Sequence, residues 1–300
     1  VYVAWEHYFE PDMDVLLAIW DGSNWTGPVQ INDEGDALQA YPAIAIGSTG
    51  RLYAAWADHR ADLYQFALYA DYSLDSGATW HTDVRVDDSH PPNESPAIGA
   101  TGALTVHVAW ADTQYETGGV IYYDRSGDGG LTWGVDQPLN EEIYGSGAAS
   151  PDLVTRGAQE VFVVWSQYSS LYLTYSADGG TTWISPTQII TSTGNIASPT
   201  ITKDAAGTLH LAWLETLWTQ PNQLHIGYAR SLDSGVTWTN RQFVDLGAPG
   251  TLRSSPDIAV NPVNGYVHLV WDDDRTGTKT IFHNGSANGG VTWGTPAAIV

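Results

Sequence analysis

The sequence predicts an all-β fold, a six-bladed β-propeller of four-stranded antiparallel blades. Three observations predict it. An eight-residue motif returns every 50 to 55 residues, a short apolar run that ends in Trp returns six times, and the 300 residues include 31 Gly and 15 Pro without a long helical periodicity. A period of this length is typical of a repeated four-stranded unit.

The motif has the form Ser-x-Asp-x-Gly-x-Thr-Trp and is called the octapeptide turn below. Asp bonds nearby backbone amides and Gly accepts a positive φ, so each copy predicts a turn, followed by a Trp that buries its ring under the blade. A decayed sixth copy ends at Trp25. The acidic or amide residue and the Trp of the five full copies are Asp75 and Trp80, Asp128 and Trp133, Asp178 and Trp183, Asp233 and Trp238, and Asn288 and Trp293.

The octapeptide turn resembles the Asp box, also called the bacterial neuraminidase repeat, of sialidases and many other propellers. The resemblance covers essentially the whole chain and implies a sialidase-like propeller. In that family the box is a structural turn on the outer rim of the blade, far from any active site. The resemblance therefore implies the fold and gives these residues no catalytic role.

Two further landmarks divide the chain into strands. The apolar runs ending in Trp, such as Leu52–Trp56, predict a buried second strand in each blade. An X-Pro motif predicts the start of the first strand, because Pro at that place loses no ladder hydrogen bond. This motif occurs five times, at Tyr41-Pro42, Ser95-Pro96, Ser150-Pro151, Ser198-Pro199 and Ser255-Pro256.

We therefore predict a single domain, residues 1–300, whose first blade lacks its innermost strand in this chain. An unpaired inner edge is a liability, so we expect a flanking segment, a partner or self-assembly, or an unusual closure to complete blade one. The blades are expected at about 1–32, 41–86, 95–140, 150–190, 198–244 and 255–300.

Composition excludes several classes of function. The chain carries 34 acidic and 11 basic residues, a net charge of −23, which makes nucleic acid an unfavourable partner. No apolar run approaches the ~20 residues that a membrane helix needs, so no membrane insertion is expected. Cys is absent, which excludes disulfides and thiolate metal sites. An acidic, Lys-poor and aromatic-rich chain favours a secreted or cell-surface location.

The loops between second and third strands, and those joining one blade to the next, are expected to share one face. These loops are rich in carboxylates and aromatic residues. The aromatic residues predict a stacking platform for sugar rings, with carboxylates accepting hydrogen bonds from hydroxyl groups; alternatively, the rings only pack the loops. The platform residues are Trp218, Tyr8, Phe9, Tyr115 and Tyr168.

The resemblance also implies an enzymatic alternative. Sialidases grip the substrate carboxylate with three arginines and use a Tyr nucleophile assisted by a Glu, with an Asp as acid/base. Arg60, Arg253 and Arg275 are the candidates for that grip. Arg60 and Arg275 both lie in a Trp-x-Asp-x-Arg motif, which also fits local Asp–Arg pairing. No Arg-Ile-Pro signature is present; in sialidases it lies on an early first strand, the one missing here.

Acidic clusters provide oxygen ligands of the kind that Ca²⁺ uses, but without EF-hand spacing. A solvated acidic rim is the simpler interpretation, and we expect no cofactor. Zinc spacing is absent as well. The clusters are Asp272–Asp274, Asp33 with Glu34 and Asp36, and Asp12 with Asp14.

These observations favour a recognition module that binds a glycan or a surface protein and is non-catalytic. The first alternative is an exo-acting glycoside hydrolase of sialidase type, so whether the chain is an enzyme stays open. The second alternative is a structural subunit of an extracellular assembly, with strand exchange at the open first blade.

Overall fold

The structure is a computed structural model that describes residues 1–9, 12–33, 37–62, 65–88, 92, 96–112, 119–141, 147–218, 223–246 and 251–299. The described residues form 23 β-strands in six antiparallel sheets. The sheets are the blades of a six-bladed β-propeller and are numbered along the chain. The all-β prediction and the predicted number of blades are confirmed.

Consecutive strands pair with one another in every blade. Blade one contains β1 (Tyr2–Phe9), β2 (Asp12–Trp20) and β3 (Trp25–Gln30). Blade two contains β4 (Gln39–Ile46), β5 (Leu52–Asp62), β6 (Gln65–Ser73) and β7 (Val84–Arg85). Blade three contains β8 (Ala97–Thr101), β9 (Thr105–Asp112), β10 (Val120–Ser126) and β11 (Gln137–Pro138).

The other three blades have four strands each. Blade four contains β12 (Ala148–Arg156), β13 (Glu160–Gln167), β14 (Ser170–Ser176) and β15 (Thr187–Thr191). Blade five contains β16 (Asn195–Lys203), β17 (Leu209–Leu217), β18 (Gln223–Ser231) and β19 (Gln242–Phe243). Blade six contains β20 (Arg253–Val260), β21 (Val267–Asp273), β22 (Thr280–Ser286) and β23 (Ala297–Ala298).

Blade one has three strands among the described residues, whereas each other blade has four. That the absent strand is the innermost one stays a prediction. Residue contacts divide the chain into two compact units. The first unit contains residues 1–162 and 175–185, and the second contains residues 163–174 and 186–300. In the described residues, no helix is long and apolar enough to cross a membrane.

The Trp that ends each apolar run lies at the centre of its blade in blades two to six. These residues are Trp56, Trp110, Trp165, Trp213 and Trp271, and none is more than 1% exposed. A fully buried indole removes ~150–250 Å² from water, so each one is a large contribution to the core. In the first unit, Trp56 packs with Val15, Leu17 and Ile31 of blade one. Side chains at alternate strand positions thus fill the space between neighbouring sheets.

The X-Pro motif differs from its prediction in four blades. In these blades the Pro lies inside the first strand rather than at its start, since β4, β12, β16 and β20 begin before it. The residue before the Pro has a positive φ at Tyr41, Ser150, Ser198 and Ser255, between 47° and 57°. The register shifts at this place in β4, β16 and β20. A β-bulge leaves one residue unpaired, so a bulge accommodates the Pro within the strand.

Candidate functional site

The octapeptide turns have the same internal hydrogen bonds in blades two to five, and in blade six Asn288 donates to the Thr292 hydroxyl instead of accepting from it. In blade four, Asp178 accepts from the backbone nitrogen of Thr182 at 2.9 Å and from its hydroxyl at 2.7 Å. The Ser176 hydroxyl donates to Asp178 and accepts from the Gly180 nitrogen, both at 2.8 Å. Gly180 has a φ of 81°, in the left-handed region that favours Gly. The polar groups of these residues are therefore used to hold the turn.

The next repeated feature links the buried Trp of blades two, five and six to an acidic residue two positions later, whereas blade four has Gln167 at this position. The indole Nε1 of Trp56 donates to Asp58 at 3.0 Å, and that of Trp213 donates to Glu215 at 3.0 Å. Residues i and i+2 of a strand point to the same face, which brings the two groups together. Trp271 donates to Asp273 at 3.1 Å in the same way. All three carboxylates are buried.

Arg60 has its partners within the first unit. Its NH2 group lies 2.6 Å from Asp58 and 2.6 Å from Asp83. Its guanidinium carbon lies 4.3 Å from the ring centre of Tyr69. Burial would lower the pKa of Arg60, but the hydrogen bonds and charges of Asp58 and Asp83 raise it well above its usual range. Arg60 is therefore held by local carboxylates.

Arg253 and Arg275 meet at one carboxylate in the second unit. The Asp273 Oδ2 atom lies 3.2 Å from Arg253 Nε and 2.5 Å from Arg275 NH2. Arg253 Nε also lies 3.0 Å from Asp245 Oδ2, and the Arg253 side chain is 0% exposed. Arg275 NH2 donates to the Asp245 carbonyl oxygen at 2.9 Å. The two arginines are thus built into a buried ion-pair cluster.

The charges in this cluster stabilise the ionised carboxylates. Burial alone would raise the pKa of Asp245, but the hydrogen bond from His225 and the charge of Arg253 outweigh it and lower the pKa. Burial opposes ionisation of Asp273 in the same way, and hydrogen bonds from Arg275 outweigh it. Both carboxylates are therefore anions at neutral pH and neutralise the two arginines.

Two of the predicted platform residues lie on either side of one short segment in the second unit. Trp218 follows β17 and is 70% exposed, and Tyr168 follows β13 and is 56% exposed. The segment 192–196 runs from the end of β15 into the start of β16. Its Ile196 nitrogen donates to the Tyr168 carbonyl oxygen at 3.1 Å. A Cβ atom at Gly194 would clash with the Thr216 carbonyl oxygen, so this segment also lies against the strand that leads to Trp218.

Glu215 holds the same segment in place. This buried carboxylate accepts hydrogen bonds from the Ser192 hydroxyl, from Arg241 NH1 and from the Trp213 indole. Asn195 pairs with Thr216 and Ile196 pairs with Glu215 in the register of β16 and β17. We call Tyr168, Trp218 and segment 192–196 the aromatic face. Its backbone is anchored, and its two rings are exposed to solvent.

The remaining predicted residues are placed as follows. Tyr8 is 58% exposed and lies near the end of β1, in the first unit. Tyr115 lies outside the described residues, and the side chain of Phe9 does as well. Glu34 and Asp36 of one acidic cluster also lie outside them. Within the described part of the chain, no group of three or more His, Asp or Glu side chains has the geometry to hold a metal ion.

Sequence reasoning did not single out Glu215 and Arg241, which position the aromatic face. The signal was available, because Trp213-x-Glu215 repeats the pattern of Trp56-x-Asp58 and Trp271-x-Asp273. The partner Arg241 lies 26 residues away in sequence. Only the strand register brings it to the same carboxylate.

Comparison with solved structures finds other propellers. A Dyadobacter fermentans protein of unknown function has a TM-score of 0.62 at 16% identity, covering 90% of this chain and 85% of that one. The NanB sialidase from Streptococcus pneumoniae has a TM-score of 0.59 at 11% identity, covering 90% of this chain. The Penicillium chrysogenum α-L-arabinanase, complexed with arabinobiose, has a TM-score of 0.61 at 18% identity, covering 87% of this chain and 80% of that one.

The chain spans 62% of the length of the sialidase chain that it matches. No family model matches the sequence, and no curated protein sequence is significantly similar to it. At these identities the likeness shows the fold alone. The chain therefore shares its six-bladed propeller fold with sialidases and arabinanases.

Proposed function

We propose that this chain is a secreted or cell-surface recognition module that binds neutral glycans through the aromatic face. The observation that carries the proposal is the pair of exposed rings, Trp218 and Tyr168, held on either side of one anchored segment. Exposed aromatic side chains with a fixed backbone provide contact area at a low cost in conformational entropy. The exposed Thr193 and Asn195 of segment 192–196 supply polar side chains for hydrogen bonds.

The arginine geometry supports a neutral ligand over an acidic one. A grip on a substrate carboxylate needs guanidinium groups whose charge is available at the surface. Arg253 is wholly buried, and Arg275 is paired with Asp273. Arg60 is paired with Asp58 and Asp83. Each of the three candidate arginines is thus neutralised by carboxylates of the chain itself.

Calorimetric titration of the chain with arabinobiose, and separately with sialyllactose, tests the proposal. These probes are chosen because the structural neighbours include an arabinanase complexed with arabinobiose and a sialidase. We expect the neutral sugar to bind and the acidic one not to. Trp218→Ala should weaken binding by about tenfold or more, since an exposed Trp anchor is typically a dominant contact.

Trp25→Ala is the matched control, because Trp25 is also exposed, at 54%, but lies on β3 in the first unit. It should leave the affinity unchanged. If both variants lose affinity equally, or if Trp218→Ala has no effect on measurable binding, the aromatic face is not the binding site. Binding of sialyllactose that is lost in Arg275→Gln would instead support an arginine grip.

Glycoside hydrolysis is the second candidate, favoured by the structural neighbours, which are named as a sialidase and an arabinanase. It requires turnover, which binding alone does not. Release of a chromophore from aryl α-L-arabinofuranoside and aryl sialoside substrates measures it directly. Turnover that survives in Trp25→Ala and is lost in Trp218→Ala would place the reaction at the aromatic face, whereas absence of turnover with both substrates leaves recognition as the function.

A further inference from the structure

A groove of about 310 Å³ lies between β15 of blade four and the segment 236–241 of blade five. It is within the second unit and does not include the aromatic face. The volume lies at the low end of the ~300–1,000 Å³ typical of small-molecule sites. Its polar and aromatic lining includes Thr187, Gln188, Trp238, Thr239, Asn240 and Arg241.

Trp238 differs in its packing from the turn Trp residues of blades four and six. In blade four, Trp183 packs edge-to-face on Tyr123 with ring centres 4.7 Å apart. In blade six, Trp293 packs on Tyr228 in the same way, also at 4.7 Å. Each Tyr lies three residues before the Ser of the octapeptide turn of the preceding blade, and the equivalent residue for Trp238 is Leu173. Trp238 therefore has no aromatic partner of this kind.

The equivalent glycines of three turns show the same difference. A Cβ atom at Gly180 or Gly290 would meet the hydroxyl of Tyr123 or Tyr228, whereas a Cβ atom at Gly235 would meet Leu173. The shorter, aliphatic Leu173 thus occupies the place of a Tyr. The indole of Trp238 has no ring contact among the described residues, and the groove opens beside it.

The hydrogen bond of the Trp238 indole also differs from those of the other turns. Its Nε1 donates to the Gly235 carbonyl oxygen at 3.0 Å. In the other four turns the indole Nε1 is buried and has no hydrogen-bond partner within the described part of the chain. Because the Trp238 Nε1 atom already has a hydrogen-bond partner within the turn, the ring offers its apolar surface to the groove. Apolar C–H faces of a sugar ring suit such a surface.

The rim of the groove supplies uncharged donors and acceptors. The Asn240 side chain is exposed and makes no hydrogen bond to the described residues. Gln188 donates from Nε2 to the Ser170 hydroxyl at 2.6 Å, which leaves its oxygen as an acceptor. Arg241 lies at one end, paired with Glu215. Because this pairing compensates the only charge of the lining, the groove suits an uncharged polyol.

We propose that this groove is a second binding site, for a neutral mono- or disaccharide, in which Trp238 stacks on a sugar ring and Asn240 and Gln188 bond its hydroxyl groups. It does not depend on the proposed function of the aromatic face. Three independent features meet here: a cavity, a Trp that lacks the Tyr partner of Trp183 and Trp293, and amide side chains with free hydrogen-bonding groups.

Indole ¹⁵N–¹H NMR of the full chain tests the proposal, with the Trp238 signal assigned from Trp238→Phe. The probes are glucose, galactose, mannose, N-acetylglucosamine and arabinobiose, each titrated separately. We expect at least one probe to shift the Trp238 signal saturably. Asn240→Ala should weaken that binding by about tenfold, the equivalent of one lost hydrogen bond. Leu173→Tyr introduces the ring that packs on Trp183 and Trp293 and should abolish binding by covering the face of Trp238 on which the sugar would stack.

Asn24→Ala is the matched control, because Asn24 is an exposed Asn in the decayed turn of blade one. Trp218→Ala should leave the Trp238 titration unchanged, and the Trp218 signal reports on the aromatic face separately. The proposal is overturned if no probe shifts the Trp238 signal saturably. It is also overturned if the shift survives in both Asn240→Ala and a folded Leu173→Tyr, or if Asn24→Ala weakens binding equally.

Discussion

Asn284 donates a hydrogen bond from its side-chain nitrogen to the carbonyl oxygen of Val244 over 2.8 Å, inside the second unit. The same nitrogen lies 3.2 Å from the Gly294 carbonyl oxygen, which it also bonds. Asn284 stands two residues before the Ser of the octapeptide turn, and blades two and three carry Asp71 and Asp124 at this position. A carboxylate cannot donate a hydrogen bond, so only protonated Asp resembles Asn here.

Both aspartates have the surroundings of a protonated acid. Burial raises the pKa of Asp71 to about 8 and that of Asp124 to about 7, against the hydrogen bonds from backbone nitrogens that each one accepts. The charges of Asp83 and Asp136, respectively, add to the increase. In each residue Oδ2 is buried without a hydrogen-bond partner among the described residues. At pH 7 and below, a substantial fraction of each group is therefore neutral.

We expect Asp71→Asn and Asp124→Asn to stabilise the protein at pH 8 and to have little effect at pH 5. The folded chain retains protons that the unfolded chain, with a usual Asp pKa, has released above about pH 4. Wild-type stability consequently falls as pH rises from about 4 to 8. Each substitution should recover about 2 kcal/mol of unfolding free energy at pH 8, measured by urea denaturation at both pH values.

Glu141→Gln is the control for that experiment, because it removes a carboxylate from an exposed position. It should leave the difference in stability between pH 5 and pH 8 unchanged. If Asp71→Asn and Asp124→Asn destabilise the protein equally at both pH values, protonation of the two aspartates does not contribute to the pH dependence of stability.

The octapeptide turn gives the opposite pH dependence. Burial would raise the pKa of Asp128, but hydrogen bonds from Thr132 and Ser126 outweigh it and lower the pKa to about 2. Its contribution to stability is thus present above the usual Asp pKa and is lost as pH falls toward 2. We expect Asp128→Ala to lower the Tm at pH 7 by several degrees, whereas Asp128→Asn should lower it less.

Asn288 is the reason for the milder effect of Asn. It accepts from the Thr292 nitrogen at 2.9 Å and donates to the Thr292 hydroxyl at 2.9 Å, so an amide completes the same turn in blade six. Thermal unfolding of both variants at pH 7 and pH 3 measures the difference. Equal Tm values for Asp128→Ala and Asp128→Asn at pH 7 would show that these hydrogen bonds do not support the turn.

The repeated features of the fold were predictable from the sequence because they depend on local spacing. Trp56 ends an apolar run and is buried, as that pattern predicts. The X-Pro motif located the first strands but not their bounds, since a bulge lets the strand begin before the Pro. Spacing indicates that a strand is present, whereas its ends depend on pairing with the neighbouring strand.

The candidate site was less predictable, because its contacts join distant parts of the chain. Arg253 stands in a loop-like sequence and was expected at a binding face, yet its side chain is 0% exposed. Its partner Asp273 is on the next strand, 20 residues away, and only the register of β20 and β21 pairs the two. The exposure of Trp218 was consistent with its position outside the repeated Trp sets. The absence of a Tyr partner for Trp238 is visible in the sequence once the blades are compared, because Leu173 stands where blades three and five have Tyr123 and Tyr228.

The buried ion pairs predict different effects for the two arginines of blade six. We expect Arg253→Met to destabilise the protein by about 3–5 kcal/mol, because it leaves Asp245 and Asp273 buried without their shared cation. Arg275→Gln should cost less, since the Arg275 side chain is 21% exposed and a water molecule can replace it. Urea denaturation at pH 7 measures both values.

Arg85→Gln serves as the reference for these two variants, because Arg85 pairs with Asp87 at 2.7 Å but is 44% exposed. Its effect should lie within about 1 kcal/mol of wild type. If Arg253→Met has an effect as small as that of Arg85→Gln, the cluster at Asp273 does not stabilise the fold.

A buried His–Tyr hydrogen bond in blade three permits a double-mutant cycle within the first unit. His107 Nδ1 lies 2.7 Å from the Tyr123 hydroxyl. The other ring nitrogen of His107, Nε2, lies 2.7 Å from the Thr101 hydroxyl. Burial lowers the pKa of His107 to about 4, so the ring is neutral at pH 7.

We expect Tyr123→Phe, and separately His107→Phe, to lower the free energy of unfolding by about 1–3 kcal/mol each, because either substitution leaves a buried polar group unpaired. The double variant should cost less than the sum, with a coupling of about 1–2 kcal/mol in urea denaturation at pH 7. Phe162 and Leu173 of blade four occupy the equivalent positions, so the repeat itself tolerates the loss of both polar groups together. Strictly additive single and double values would mean that the two side chains do not stabilise each other.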